Sequence, residues 1–591
     1  MRLLFFTPHA ALWSHTVPEM YLARCLRELG HDVSVLGCAQ VQTYCAAMSA
    51  WGLAPAGEEA RQRADICLGC RAAAASIVDT LGLPSAMLDR WVTADDQRAA
   101  DAAAAAAVAE GSLDTVHLGV PVGRIALYEL TLARKKMSTD YSPEEWSEYR
   151  VYLRNTIVTL TGFARAFDER VPDVVIAFSP QYSNINAPAQ YAIARGARVL
   201  FMESGTNISH RLGTMRVWDW ARHRLVNPAL THWQGSSRHP VTARAAQAVA
   251  GHFRQLLSGQ HFAVFSSPYV KPQGDLRERW QISPGQRVVL MTLSSYDEAY
   301  AAYLIDAFPE RKVFSDVFRT QAEWIAATVE WARSRPEIAL VVRVHPRDFP
   351  NKREAVRSEQ SYRLEAILTD LPPNVRVNWP HEGISLYELL EEVDVILTGW
   401  SVTAMEGLVL GIPVVTYDAR LPSYPPDVMR TGRDEVTYFS NIDQALAAGW
   451  SFDNVLNGFR WLAYNFVGCT VEVSARLSRA ERADRSLGDR VIGRFKRRFP
   501  ALGRRLDLAH WRDAMAGAQQ ISKLIEQSAD ALPALAGVTG GEHPGADDEV
   551  VAQQLQVLYG LLYSGSRLSV EKPGLARSIR RFLASRGMHV Q

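Results

Sequence analysis

The feature that most constrains this chain's fold is the alternation of short apolar runs with longer amphipathic segments. Near the amino terminus, RLLFFT (residues 2–7) precedes the amphipathic segment VPEMYLARCLRELG (17–30), and DVSVLG (32–37) follows. A strand buried on both faces is a continuous apolar run, and two such runs around an amphipathic segment are typical of a strand–helix–strand unit. The amino-terminal part is therefore predicted to form a parallel sheet with helices on its faces.

This pattern continues and then begins again in the second half of the chain. A further unit comprises PDVVIAFS (172–179), NAPAQYAIARG (186–196) and ARVLFMES (197–204), and a fresh series of short strands starts near residue 285. We predict an α/β fold of two Rossmann-like domains, the arrangement called GT-B, with a helical C-terminal extension. The expected boundaries are 1–265, 270–445 and 446–591, with a hinge at FSSPYVKPQGD (265–275).

Length, charge and hydropathy exclude several classes of protein. The 591 residues are too many for one hydrophobic core, and a net charge of +1 argues against a nucleic-acid binder. No apolar run reaches the roughly 18 residues of a transmembrane helix, and the start MRLLFFTPHA is too short for a signal peptide. We expect a cytoplasmic protein.

The basic segment RVIGRFKRRFPALGRRL (490–506) interleaves arginine and lysine with apolar residues. One interpretation is a solvated helical face. The other is a docking site for an anionic membrane surface, which would make the protein peripheral to the inner membrane.

Four of the six cysteines, Cys38, Cys45, Cys67 and Cys70, fall within a short cysteine-rich insertion expected over about 38–75. The last two form a CxxC pair, while the first two are spaced more widely than in a usual zinc knuckle. A structural zinc site is one interpretation, and an iron–sulfur cluster fits the spacing less well. Four unrelated buried cysteines are the alternative.

Polar side chains follow the strands of the second half, where ligands of open α/β sheets bind. The candidate nucleotide-binding residues are Ser294, Ser295, Arg343, His345, Ser401, Thr403 and Glu406. In TGWSVTAMEG (398–407) a strand ends, hydroxyl groups follow where they can hold a phosphate, and a carboxylate one turn later can accept hydrogen bonds from a ribose. The alternative is an ordinary capped helix with a solvated glutamate.

His345 ends the strand IALVVRV (338–344), and Pro346 makes the chain leave the sheet there. A histidine on this rigid support can hydrogen-bond a leaving phosphate, and Arg343 lies two residues earlier on the same face of the strand. In the first half, Glu203 follows the apolar strand ARVLFM, where a carboxylate is well placed to act as a general base. A satisfied core histidine and a capping glutamate are the alternatives.

The combination of ESG (203–205), RVHP (343–346) and GWSVTAMEG (399–407) resembles the bacterial capsule polysaccharide glycosyltransferases that use CMP-Kdo or CMP-sialic acid. The resemblance implies that Glu203 is the base, that His345 contacts the CMP phosphate, and that Ser401 and Thr403 hold it. Ser204 stands where that family has a second acidic residue. Glu406 also resembles the ribose-binding glutamate of GT-B enzymes that use UDP- or GDP-sugars, so the donor stays open.

These patterns together predict a glycosyltransferase that moves a sugar from a nucleotide-activated donor to a saccharide or glycolipid acceptor of a surface polysaccharide. We expect inversion at the anomeric carbon and, because no Asp-x-Asp follows a strand, catalysis without a metal ion. Two alternatives stay open. One is an isomerase similar to the UDP-sugar 2-epimerases, and the other is a non-catalytic scaffold of a polysaccharide assembly complex.

Overall fold

The structure is a computed structural model, which describes residues 1–57, 59–219, 227–233, 235–258, 275–308, 310, 313–351, 355–474, 512–527, 546–563 and 574–588. The expected hinge, apart from Asp275, and the basic segment 490–506 lie outside these residues. Within them, no helix is both long and apolar enough to cross a membrane.

The first sheet has seven strands. They are β1 (Arg2–Phe6), β2 (Asp32–Gly37), β3 (Ser85–Met87), β4 (Val174–Phe178), β5 (Arg198–Ser204), β6 (Thr214–Asp219) and β13 (Val471–Glu472). Their order in the sheet is β13-β6-β5-β4-β1-β2-β3. Strands β1 to β5 are parallel, while β6 pairs antiparallel with both β5 and β13.

The second sheet has six parallel strands. They are β7 (Arg287–Thr292), β8 (Ile338–Arg343), β9 (Val375–Asn378), β10 (Val395–Thr398), β11 (Val414–Thr416) and β12 (Arg430–Thr431). Their order in the sheet is β12-β11-β10-β7-β8-β9. The predicted α/β fold with two Rossmann-like domains is confirmed by these two sheets.

Helices cover both faces of each sheet. They are α1 (Trp13–Glu28), α2 (Ala46–Ala50), α3 (Ala60–Leu81), α4 (Ala94–Glu110), α5 (Val122–Ile125), α6 (Leu127–Arg134), α7 (Pro143–Arg170), α8 (Ser183–Ala194), α9 (Ala243–Ser258), α10 (Leu276–Arg279), α11 (Tyr296–Leu304), α12 (Gln321–Arg333), α13 (Glu359–Ile367), α14 (Leu386–Leu390), α15 (Thr403–Val409), α16 (Glu435–Ala448), α17 (Phe452–Ala463), α18 (Arg512–Glu526), α19 (Ala546–Tyr563) and α20 (Leu575–Ser585).

The alternation of side chains along β1 divides the first domain's interior into two layers. Leu3 and Phe5 are buried in the core that α1 and α18 complete, whereas Leu4 and Phe6 are buried on the opposite face with the long helix α7. Successive side chains of a strand point to opposite faces, so a strand covered on both sides must be apolar throughout.

The described C-terminal residues pack on both domains. Strand β13 adds to the first sheet, and α18 packs against α1. Helices α19 and α20 contact the second domain, where Glu391 accepts hydrogen bonds from the Tyr563 hydroxyl of α19 and from the Ala576 amide of α20. The described part of the expected C-terminal extension therefore joins the two domains.

A second connection between the domains lies at the end of α6. Lys135 is buried, and its ammonium group donates to the carbonyls of Arg347 and Val356 in the second domain at 2.5 and 2.7 Å. In return, the Glu359 carboxylate accepts from the Met137 amide and the Ser138 hydroxyl. These hydrogen bonds hold the end of α6 in the first domain against the loop that follows His345 in the second.

Candidate functional site

Arg343 and Glu406 lie together at the carboxyl edge of the second sheet. The Arg343 guanidinium donates to the Asn378 side chain at 2.5 Å and to the Ile384 carbonyl at 3.1 Å. Burial lowers the pKa of Arg343 to about 10, and the negative charges of Glu406 and Glu382 oppose that shift. The group still carries its positive charge at neutral pH, so this edge of the sheet holds a fixed cation.

The Glu406 carboxylate accepts a 2.6 Å hydrogen bond from the Tyr387 hydroxyl. Burial raises the pKa of Glu406 to about 7, while Tyr387 and the Arg343 charge act in the opposite direction. Helix α15 approaches β10 closely because the next residue is glycine. A Cβ at Gly407 would lie 2.2 Å from the Ile396 side chain. This close packing places the carboxylate at the sheet edge.

The hydroxyls of Ser401 and Thr403 form a small cluster after β10. The Ser401 hydroxyl donates to Thr403 Oγ1 at 3.0 Å, and the Ser401 amide donates to Thr398 Oγ1 at 3.1 Å. Tyr424 donates to the Ser401 carbonyl and holds the turn in place. Two hydroxyl groups are therefore positioned side by side on the edge that carries Arg343 and Glu406.

His345 is partly buried and precedes the short 3₁₀ helix Pro346–Asp348. Its Nδ1 accepts a hydrogen bond from the Arg347 amide at 3.3 Å. With Nδ1 as the acceptor, the neutral ring carries its proton on Nε2 and can donate from that atom. The strand β8 ends at Arg343, one residue before the end of the predicted strand 338–344, and His345 lies in the connection that follows it. The hydrogen bond from Arg347 assigns the ring proton to Nε2.

Ser294 and Ser295 are both buried next to the end of β7. The Ser295 hydroxyl donates to Asp297 and accepts from Arg347 at 3.2 Å, so it belongs to a buried ion-pair network. The Ser294 backbone is bonded in both directions to the Gln321 side chain. These contacts tie both serines to the protein interior.

In the first domain, Glu203 lies at the end of β5 with its side chain 26% exposed. Its carboxylate is 3.3 Å from the guanidinium of Arg216, the residue opposite it on the antiparallel strand β6. Arg216 also donates to the Asn227 side chain. The pair holds the carboxylate at the carboxyl edge of the first sheet.

Tyr182 lies where the two domains meet. Burial raises the pKa of Tyr182 to about 12, and the negative charges of Glu129, Glu203 and Glu298 contribute to that shift. Glu298 belongs to α11 of the second domain, and Ala301 and Ala302 of the same helix pack with Tyr182, so the two domains meet here. Burial also raises the pKa of Tyr128, which donates to the Gln181 side chain at 2.8 Å.

The structure does not support a zinc or iron–sulfur site at Cys38, Cys45, Cys67 and Cys70. Across the described parts of the chain, no three Cys, His, Asp or Glu side chains are placed to hold a metal ion. Cys67 and Cys70 lie on one helix, while Cys38 and Cys45 lie in the connection between β2 and α2, and all four thiols are free. Burial raises the pKa of Cys38 to about 12 and that of Cys67 to about 11, which favours neutral thiols.

Neither a protein-family model nor a curated protein matches the chain. Among solved structures, it is similar to KpsC, a β-Kdo 2,4 transferase of Thermosulfurimonas dismutans, with 16% identity over 49% of this chain and 79% of that one (TM-score 0.28). It is also similar to the UDP-GlcNAc 2-epimerase of Neisseria meningitidis, with 11% identity over 78% and 96% of the two chains (TM-score 0.28). The spinosyn rhamnosyltransferase SpnG gives 14% identity over 79% and 97% (TM-score 0.23). Similarity at this level carries no argument about the reaction.

Sequence patterns missed several residues at this site. Tyr182 and Glu129 lie beside the cleft, and Tyr387 contacts Glu406, but none of them has a distinctive motif. His9 and His15 could have been noticed, because they follow β1 as His345 follows β8. They lie at the carboxyl edge of the first sheet.

Proposed function

We propose that this protein is a GT-B glycosyltransferase that moves a sugar from a nucleotide-activated donor to a saccharide or glycolipid acceptor of a surface polysaccharide. A CMP-sugar such as CMP-Kdo is the proposed donor class. The observation that carries the proposal is that the two domains meet where their sheets end. Tyr182, which follows β4 of the first domain, packs with Ala301 and Ala302 on α11 of the second, so a substrate bound beside it would contact both domains.

The second domain supplies the groups that suit a nucleotide phosphate. Arg343 brings a fixed positive charge. The Ser401 hydroxyl donates to Thr403 Oγ1, which leaves the Thr403 hydroxyl to donate to a phosphate oxygen. His345 can donate from Nε2, because its Nδ1 accepts the Arg347 amide. Donors that are already in place stabilise negative charge as it develops on a leaving group.

The first domain supplies the proposed base. Glu203 takes the proton of the acceptor hydroxyl, and the oxygen's electron pair forms the bond to the anomeric carbon. The bond from that carbon to the phosphate oxygen breaks, and its electron pair leaves with the nucleotide. A single displacement with the base and the leaving group on opposite sides inverts the anomeric centre.

A nucleotide screen followed by product analysis tests this function. We expect CMP or CDP to raise the Tm of the full chain more than UDP or GDP does, and the matching nucleotide sugar to yield a glycosylated acceptor. Epimer formation from the donor alone would instead support an isomerase. Failure of every nucleotide to bind would favour a non-catalytic scaffold.

The proposed ribose contact of Glu406 has a pH dependence that can be measured. The pKa of Glu406 is raised to about 7, so the carboxylate that accepts ribose hydroxyls is present above that pH and is lost as the pH falls through it. We expect nucleotide affinity to weaken from pH 8 to pH 6, and Glu406→Gln to weaken binding at pH 8 and remove this dependence. Glu365→Gln, an exposed substitution on α13, is the control: calorimetry should show the same nucleotide affinity and the same pH dependence as for the wild-type protein. An unchanged affinity in Glu406→Gln would exclude the contact.

A further inference from the structure

The proposed base and the proposed nucleotide site lie on different domains, and helix α17 connects them. On the second domain, α17 packs against α15, the helix that carries Glu406, so closely that a Cβ at Gly458 would lie 2.9 Å from the Val409 amide nitrogen. At its other end, α17 continues directly into a π-helical turn over Tyr464–Gly468. Such turns are rare and occur frequently at functional sites. This π turn is therefore fixed to the helix that carries the proposed ribose contact.

The π turn contacts the loop that follows the proposed base. Asn465 donates from Nδ2 to the Thr206 hydroxyl at 3.1 Å, and Thr206 lies three residues after Glu203. The loop between them lies tightly on β6, because a Cβ at Gly205 would overlap the side chain of Thr214. Asn465 is only 6% exposed, whereas Thr206 is exposed. A buried side chain at the end of α17 thus holds the loop that begins at the base.

A second buried amide, Asn227, joins the same two domains. Its Oδ1 accepts from Arg216, the residue paired with Glu203, at 3.3 Å, and its Nδ2 donates to the Ser423 carbonyl of the second domain at 3.0 Å. The two buried amides also meet, with 3.5 Å between Asn227 Nδ2 and Asn465 Oδ1. A buried polar network of this kind favours one arrangement of the groups that it binds.

The proposed displacement across the cleft requires a fixed arrangement. The base must meet the acceptor hydroxyl on the side of the anomeric carbon opposite the departing phosphate, and a misplacement of about 1 Å can lower the rate about 10²-fold. Glu203 belongs to the first domain and the proposed phosphate-binding groups belong to the second, so neither domain alone sets the distance between them. The hydrogen bonds of Asn465 and Asn227 connect the two sides directly.

We propose that Asn465 and Asn227 are positioning residues that set the orientation of Glu203 relative to the nucleotide site. This inference rests on the proposed function. In this role neither amide touches the substrate. Asn465 acts through the loop at Thr206, and Asn227 acts through Arg216, which donates to Oε2 of Glu203 and leaves Oε1 to receive the acceptor proton.

Removing the Asn465 amide tests this role. Asn465→Leu keeps a similar volume and removes both hydrogen bonds, so we expect single-turnover transfer to fall by about 10- to 10²-fold while nucleotide affinity, measured by calorimetry, is unchanged. Thr206→Val breaks the same contact from the exposed side with little change of shape. This second variant should keep the wild-type Tm and also lower transfer, which tests the contact even if the buried substitution impairs folding.

A double-mutant cycle with Glu203→Gln distinguishes positioning from a general structural role. If Asn465 and Thr206 act through the Glu203 carboxylate, Asn465→Leu and Thr206→Val should lower transfer in the wild-type chain and cause no further loss in the Glu203→Gln chain. The carboxylate is already absent there, so its position no longer matters. Losses by the same factor in both backgrounds would refute the positioning role.

Asn457→Ala is the matched control. Asn457 also lies on α17 and accepts a 2.6 Å hydrogen bond from the hydroxyl of Ser236, on the chain segment that follows Asn227. The substitution removes a contact of the same kind that does not involve the loop after Glu203, so transfer should stay at the wild-type rate. A loss equal to that of Asn465→Leu would show that any contact of α17 has the same effect, and would refute the specific role of Asn465.

The remaining outcomes separate this inference from the proposed function. If the wild-type protein transfers sugar and Glu203→Gln does not, while Asn465→Leu and Thr206→Val transfer at the wild-type rate, the positioning role is refuted and the glycosyltransferase stands. If the wild-type protein binds nucleotides and transfers no sugar, the proposed function fails and the positioning role fails with it.

Discussion

Glu203→Gln is expected to lower sugar transfer by about 10²- to 10⁴-fold while leaving nucleotide affinity unchanged. The amide keeps the shape of the side chain and removes its basicity. Arg216 retains its hydrogen bond to Asn227, so the end of β5 should keep its conformation. Calorimetry measures nucleotide affinity, and product formation under single-turnover conditions measures transfer.

Replacing His345, on the opposite side of the cleft, should affect nucleotide binding as well as sugar transfer. His345→Ala is expected to lower transfer by roughly 10²- to 10³-fold and also to weaken nucleotide binding. His345→Asn is the matched variant, because asparagine can still accept the Arg347 amide as a helix N-cap while lacking the imidazole. The two variants should lose transfer alike, but the Asn variant should keep the wild-type Tm.

Glu337→Gln, an exposed substitution just before β8, is the control for the Glu203 and His345 variants, and it should leave both transfer and nucleotide affinity unchanged. Transfer at the wild-type rate by Glu203→Gln would show that the carboxylate is not the base. If His345→Asn transferred normally and only His345→Ala failed, the histidine would be a strand terminator and cap.

Arg347→Ala is expected to cause the largest loss of stability, about 3–5 kcal/mol. Arg347 is 1% exposed and forms a buried ion pair with Asp297, and its guanidinium also donates to the Leu132 carbonyl of the first domain at 3.1 Å. Removing the arginine leaves a buried carboxylate without its counter-charge. In a domain of this size the Tm should fall on the order of 10 °C.

A double variant separates the cost of unpaired charge from the value of the ion pair. Replacing the pair together, as Arg347→Met with Asp297→Leu, should recover most of the lost Tm, since apolar side chains of similar volume often substitute for a buried ion pair. Arg333→Ala, which removes an exposed pair with Glu330, should cost less than about 1 kcal/mol. If Arg347→Ala lowers the free energy of unfolding no more than this control does, groups other than Arg347 must balance the charge of the Asp297 carboxylate.

Much of the fold follows from the sequence, because a buried parallel strand is defined by its own residues. The strands β1, β2, β4, β5 and β8 all lie within the apolar runs named from the sequence, and β7 begins where the second series of strands is predicted to start. The short strands β3, β6, β12 and β13 were not predicted. Each pairs at or near a sheet edge, where the partner strand decides the conformation more than the local sequence does.

The sequence by itself determined where His345, Glu203 and Glu406 would lie, because the carboxyl ends of parallel strands share one edge of a sheet. The tertiary structure alone decided what they contact. The bonds of Tyr387 to Glu406 and Arg216 to Glu203 join residues whose meeting depends on how helices and strands pack. The four cysteines are a further example. Their spacing in the sequence suggested a metal site, but their positions in the fold do not form one. The contact of the buried Asn465 with Thr206 likewise arises only when α17 packs between the domains, because burial and distance are properties of packing and not of sequence spacing.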